Sequence, residues 1–392
     1  MTASTLAATS RWNATDKLPT LGSWHGQHDG AVLLKSKEIL VTGGADAAAA
    51  PLDRTALFDP ATKKWVTAEK LAVARRQHSV TVLDNGDVLV AGGLGSAALS
   101  PALTSAAVFL AQDKKWDTKP VPSMNEGRWG HSAVLLDDKR VLIAGGFALR
   151  SDDTVRALNS AEIYDPEKRT WTTIEPMLDA RAGHAALKFG DGRVLVCCGS
   201  TAIGPGAFAP LAYCEIYNPA TKKWTATGNL SEPRFLHQAV KLSATTALVV
   251  GGGTPGVPGD GTFDAYTKLS VEVFDLNAGK GTWTAKANPL PGGRGRHRAI
   301  FLGSGKVLVI GGTAGETGYR GTLVYDSGAD SWKPVAGLAE GRWAFAAAAL
   351  TEAPVTEVLV TGGSTAAGLA AANPPAEDLA AGTEIFTAGS DV

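Results

Sequence analysis

Four landmarks return in a fixed order about every fifty residues: an Arg-x-x-His start, a β-branched run closing on Gly-Gly, a Val/Ile-Tyr/Phe-Asp-Pro segment and a tryptophan. The Gly-Gly pair begins at Gly43, Gly92, Gly145, Gly251, Gly311 and Gly362, and Cys198-Gly199 fills the one gap, so the unit occurs seven times. A unit this short cannot bury its own apolar faces, so neighbouring copies must pack on one another. The third copy is the clearest: Arg128-Trp129-Gly130-His131 opens it, Val141 to Gly146 follows, then Glu162-Ile163-Tyr164-Asp165-Pro166, then Trp171. Each copy holds four short strand-like runs bounded by turn residues such as Asp84-Asn85-Gly86-Asp87, and no helical periodicity of useful length lies between them.

The fourth-strand tryptophan occurs at Trp65, Trp116, Trp171, Trp224, Trp283 and Trp332, but the seventh copy stops at Glu384-Ile385-Phe386 without one. Trp12 lies about one repeat before Trp65. A strand from the N-terminus is therefore expected to complete the last copy and cover the sheet edge an open ring would expose. With its ordered copies the chain resembles the Kelch-repeat family over essentially its whole length. The resemblance implies an all-β, seven-bladed β-propeller with four antiparallel strands per blade. The blades are placed at about 24–65, 75–116, 128–171, 181–224, 234–283, 294–332 and 342–386 plus 10–18.

Composition narrows the partners. With 37 basic and 38 acidic residues the net charge is −1, and no Lys/Arg run tracks a phosphate backbone, so nucleic acid is not expected. No stretch of about 18 apolar residues implies a membrane span, and Met1 to Ser10 lack the pattern of a signal peptide, so a cytoplasmic location is expected; a closed ring needs no partner to hide its edges, so a monomer is expected. Cys197, Cys198 and Cys214 are too clustered for a disulfide framework and read as buried core thiols rather than ligands.

Relatives of this type bind partners on the face made by the Arg-x-x-His starts and the loops after Gly-Gly. Here those loops are long and variable, whereas the opposite turns, such as Asp59-Pro60-Ala61-Thr62-Lys63-Lys64, are short and repetitive. One-sided variation on a regular scaffold points to recognition on that side. The loops are rich in Ala, Gly, Pro and Leu, with Arg150, Asp152, Asp153, Arg156, Asp260, Asp264, Tyr266, Tyr319 and Arg320 as polar exceptions.

Aligning the starts gives two rings. The first position reads His25, Arg75, Arg128, Arg181, Arg234, Arg294 and Arg342; the fourth reads His28, His78, His131, His184, His237, His297 and Phe345. Residues repeated in every blade are expected to hold blades together, and symmetry-related imidazoles sit too far apart to share one ion with bonds of about 2 Å. No metal or cofactor is therefore expected. Glu126, Asp179, Glu232 and Glu340, each two residues before a ring arginine, are the expected neutralising acids. The second position supplies Arg76, Trp129, Phe235 and Trp343, an aromatic mouth with a lone cation.

Galactose-oxidase-like enzymes resemble this chain in their Kelch propeller, but their copper set has no match in the loop tyrosines Tyr213, Tyr266 and Tyr319, and the Glu-x3-Asp-x3-His run of plant specifier proteins is absent. The leading expectation is a protein that binds a small, largely apolar molecule or a peptide through Arg76, Trp129, Phe235, Tyr266, Tyr319, Arg342 and Trp343. The alternative is a cofactor-free cyclase, lyase or isomerase in which His25, the departure from the arginine ring, does acid–base work.

Overall fold

A computed structural model of the chain describes residues 9–20, 22–23, 30–96, 102–204, 207–253, 267–277, 280–315, 317–366 and 378–392. Seven four-stranded antiparallel sheets stand in a ring; six read from the axis outward in chain order, and the seventh takes its outermost strand from the N-terminus. Blade three, for example, consists of Ser132–Leu135, Val141–Ala144, Ala161–Asp165 and Thr170–Ile174. There is no α-helix among the described residues.

The second strand of every blade is almost wholly buried, as in Ile39–Thr42, Val88–Ala91 and Val194–Cys197. A sheet sandwiched between two others has no solvated face, which is why these strands read as continuous apolar runs rather than alternating ones. The core accordingly divides into seven clusters, each straddling two adjacent blades. Val141, Ile143 and Tyr164 meet Leu89 and Val108 between blades two and three, and Ile39, Phe58 and Trp65 meet Ala346, Leu359 and Ile385 across the ring closure.

Closure follows the Trp12 expectation. Arg11–Ala14 pairs with Thr383–Thr387 as the outer strand of blade seven, placing Trp12 opposite Phe386. Their rings lie 5.3 Å apart, the arrangement that Tyr164–Trp171 (4.8 Å) and Tyr325–Trp332 (4.7 Å) make in blades three and six. The tryptophan indoles also reach the preceding blade: Trp12 Nε1 donates to the Ala336 carbonyl at 2.9 Å and Trp224 Nε1 to that of Glu175 at 2.9 Å. One residue type thus packs a hairpin and ties two blades.

Candidate binding face

The ring arginines are structural. Arg128 Nη1 donates to the carbonyls of Gly145 (2.8 Å) and Ser160 (3.0 Å), joining its own first, second and third strands. Arg75, Arg181, Arg234, Arg294 and Arg342 repeat that pair of bonds. Arg342, a candidate ligand contact, is buried and spends its donors on Gly362, Gly382 and Glu384 within blade seven.

The main counter-charges differ from those expected. Glu162, Glu215, Glu272 and Glu384, second residue of the third strand, approach Arg128, Arg181, Arg234 and Arg342 at 3.0, 2.8, 2.9 and 2.8 Å. The acids two residues upstream stand off at 3.9, 3.7, 3.8 and 3.8 Å. Burial explains the preference, since a guanidinium out of water needs a desolvated partner with direct hydrogen bonds. Blades two and six carry Ala107 and Leu323 at that position, and there burial alone pulls Arg75 down to about 10 and is the main cause of the same fall at Arg294. Arg294 also lies 5.0 Å from the Tyr319 ring.

Both departures at the ring closure are compensated. Where blade one has His25, the buried Arg54 at the start of the third strand donates Nε–H to the Gly43 carbonyl at 3.0 Å, reaching the same kind of carbonyl from the other side of the sheet. Where blade seven has Phe345, Arg298 of blade six donates to the Phe345 carbonyl at 2.8 Å. His25, His28 and Tyr266 lie outside the described residues.

The histidines link blades. His131 Nε2 lies 2.9 Å from Ser79 Oγ, and His184 Nε2 lies 2.9 Å from Ser132 Oγ. Burial first and the Arg75 charge second pull His78 down to about 3, and burial with Arg294 holds His297 well below the ordinary imidazole value. Above about pH 6.5 the folded and unfolded states are both neutral at these sites. Below it only the unfolded chain takes the proton, so stability should fall by about 1.4 kcal/mol per pH unit per such histidine until the folded site titrates. A His78→Phe variant, which copies the natural Phe345 of blade seven, should show a shallower loss of urea midpoint between pH 6.5 and 4.5 than wild type; equal slopes would contradict the assignment.

At the mouth, the third position of the starts among the described residues adopts a left-handed backbone, with φ of 54° at Gln77, 61° at Gly130, 55° at Leu236 and 54° at Arg296. These residues form a backbone collar: Gly130 N–H donates to Gln77 O at 3.0 Å, Gly183 to Gly130 at 2.8 Å, and Ala344 to Arg296 at 3.0 Å. The second-position residues pair with the residue after Gly-Gly, as in Trp129 with Phe147 and Phe235 with Gly253. Trp129 is buried under Phe147 (5.8 Å), and Trp343 under the Arg296 guanidinium (4.9 Å), while Arg76, Phe235 and Tyr319 stay half-exposed.

Two raised hairpins, which the sequence does not announce, stand within the long loops. Phe147–Leu149 pairs with Val155–Ala157 in blade three, and Ser200–Gly204 with Ala207–Pro210 in blade four. Phe208 packs on Phe147 at 5.1 Å, fastening the two hairpins to each other and, through Trp129, to the ring. Beside them a cleft of ≈ 310 Å³ is lined by Glu126, Arg150, Asp153 and Arg156 together with Ala102, Ala148 and Leu149. Of the six large hydrophobics that stand exposed among the described residues, Val73, Leu178 (57%), Ile203 (67%), Tyr213 (51%) and Leu269 (47%) lie in segments of this face. Leu178 and Tyr213 flank one buried pair: Glu215 accepts the Leu178 N–H at 2.6 Å, and Arg181 donates to the Tyr213 carbonyl at 2.7 Å.

These observations define a closed seven-bladed propeller with a loop-built face of mixed charge and exposed apolar side chains. The chain belongs to the Kelch-repeat proteins: residues 6–199 match the KLHDC2/KLHL20/DRC7 Kelch-repeats domain. Kelch-like protein 36 of Mus musculus is 26% identical over 305 residues, covering 76% of this chain and 47% of that protein. An F-box/kelch-repeat protein of Arabidopsis thaliana is 32% identical over 152 residues, covering 38% of this chain and 35% of that one. The chain thus spans less than half the length of these curated relatives. Among solved structures, a copper-bound fungal alcohol oxidase of the AA5 family superposes with a TM-score of 0.72 at 17% identity, covering 97% of this chain and 77% of that one. YjhT superposes with a TM-score of 0.56 at 17% identity, covering 81% and 94%. At such identity the likeness speaks for the fold alone.

Proposed function

We propose that the chain is a binding module that recognises a peptide segment of a partner protein on its long-loop face, centred on the raised hairpins of blades three and four. The observation that carries this reading is the concentration of exposed Leu178, Ile203, Tyr213 and Leu269 on the one face whose loops vary. Apolar side chains held in water on a rigid scaffold have an unmet burial term that a partner can satisfy. The neighbouring cleft, with Glu126, Arg150, Asp153 and Arg156 in its lining, fits the charged side chains and main chain of a peptide better than an apolar small molecule. The match to a Kelch-repeats domain agrees with a partner-binding role.

Selection of a displayed random-peptide library on the chain tests this. Enriched peptides should bind Leu178→Ser, Ile203→Ser and Tyr213→Ser variants at least tenfold more weakly, each variant keeping the wild-type melting temperature, because the replaced groups are exposed. Lys222→Ser and Lys223→Ser on the opposite turns should bind as wild type. Peptides indifferent to the loop-face changes, or a library that yields none, would count against the proposal.

A further inference from the structure

Cys198 stands where the other blades have the first glycine of Gly-Gly, and it adopts the same left-handed backbone, φ 59° against 63° at Gly92, Gly145 and Gly251. A side chain at that place is poorly tolerated elsewhere in the ring. A Cβ added to Gly43, Gly92, Gly145 or Gly251 would come within 2.5, 2.8, 2.8 and 2.7 Å of Cε1 of the next blade's histidine. At the junction of blades four and five the side chain and the next blade's histidine are both present, so the imidazole of His237 is brought against a thiol. What sets Cys198 apart is that the six other blades keep glycine at this place.

Two further thiols converge there. Cys197 ends the second strand of blade four and Cys214 opens the third, directly opposite in register. All three cysteines join the apolar cluster between blades four and five, and Cys197, Cys198 and His237 are completely buried. The donor atoms of those three lie within 4.8 Å of one another. A tetrahedral zinc with bonds of about 2.3 Å to sulfur and 2.0 Å to nitrogen separates its donors by about 3.5–3.8 Å, a closing that side-chain rotation supplies. Position 185, where the two preceding blades offer Ser79 and Ser132 to the next histidine, is alanine and brings no hydroxyl to His237.

We infer that Cys197, Cys198 and His237, with Cys214 as fourth ligand, form a buried structural site for Zn²⁺ that joins blades four and five. The expectation of inert core thiols gives way to this reading because Cys198 displaces a glycine that the repeat otherwise keeps. Binding releases three thiol protons to solvent and leaves one net negative charge. The guanidinium of Arg181, paired with Glu215, donates to the Cys198 carbonyl at 3.0 Å and so fixes the backbone that carries the thiol. No carboxylate belongs to the donor set, which favours zinc over calcium or magnesium.

The full chain, unfolded with reductant and chelator and refolded with Co²⁺, should take up one equivalent, with the visible absorption of tetrahedral thiolate cobalt that Zn²⁺ then abolishes. Chain produced in zinc-supplemented medium should carry one zinc by native mass spectrometry. Cys198→Gly restores the residue of the other blades and should fold at least as stably while binding at least a hundredfold more weakly; His237→Ala should lose binding likewise if the glycine variant is poorly soluble. Wild-type chain that refolds without cobalt uptake, metal binding unchanged in the folded variants, or a mass two hydrogens light from a disulfide among these cysteines would overturn the site.

Discussion

A chain lacking residues 1–18 is expected to lose its cooperative unfolding transition and to associate through blade seven. The deleted segment supplies the whole outer strand, four residue pairs with Thr383–Thr387. It also carries Trp12 on Phe386, Leu18 in the core between blades seven and one, and the Ser10 bonds to Asp391 at 2.6 and 2.7 Å. Losing a half-buried tryptophan costs about 3 kcal/mol and a buried leucine about 2–5 kcal/mol, enough together to consume much of a typical stability margin. What remains exposes the unpaired strand Thr383–Thr387, a template for pairing with another molecule. Thermal melting with light scattering checks this, and a synthetic peptide of residues 9–18 should partly restore the transition. Because Trp12 is only half-buried, Trp12→Ala alone should do less, at about 3 kcal/mol. A truncated chain that melts at the wild-type temperature and stays monomeric would refute closure by this strand.

Loss of one partner from a buried ring pair is the second large effect. Glu272→Ala leaves Arg234 buried with only neutral acceptors at hand and the more distant Glu232, and Glu215→Ala does the same to Arg181. Each should cost about 3–5 kcal/mol, since an uncompensated charge stays out of water. The double variant Arg234→Met with Glu272→Leu should recover much of that loss, because no charge is then stranded. Replacing Arg75, which has no such carboxylate, should cost less than replacing Arg234. A double-mutant cycle by urea unfolding measures the coupling. Additive losses would show that the two side chains act independently, contrary to their 2.9 Å contact.

The repeat and its closure are legible in the sequence because their signals are local. An aromatic residue paired across a hairpin with a tryptophan recurs at fixed spacing, and its missing seventh member points back to Trp12. The counter-charges are obscure for the opposite reason. Glu162 is 34 residues from Arg128, whereas Glu126 is two away, and only the fold shows that the third strand lies closer to the guanidinium than the entering loop. A hint is present, since Glu recurs beside Ile/Val-Tyr/Phe in four copies, the same four whose arginines it meets. The swap of a guanidinium from the first strand to Arg54 is hidden because it keeps the bond and moves the residue. The raised hairpins escape notice because strands of three to five residues rich in Ala and Gly look like loop. Their mutual support depends on Phe147 meeting Phe208 across two blades. The aromatic mouth divides in two: Phe235 and Arg76 remain accessible, while Trp129 and Trp343 support their neighbours from below.

Hydrogen exchange followed by mass spectrometry, with and without a saturating library-selected peptide, tests the central claim most directly. Amides of the hairpin segments 147–157 and 200–210 and of the entry around Leu178 should slow on binding, with the turns at Asp59–Lys64 and Asn218–Lys223 unchanged. Protection confined to those opposite turns, or to the outer strands, would contradict recognition by the long-loop face.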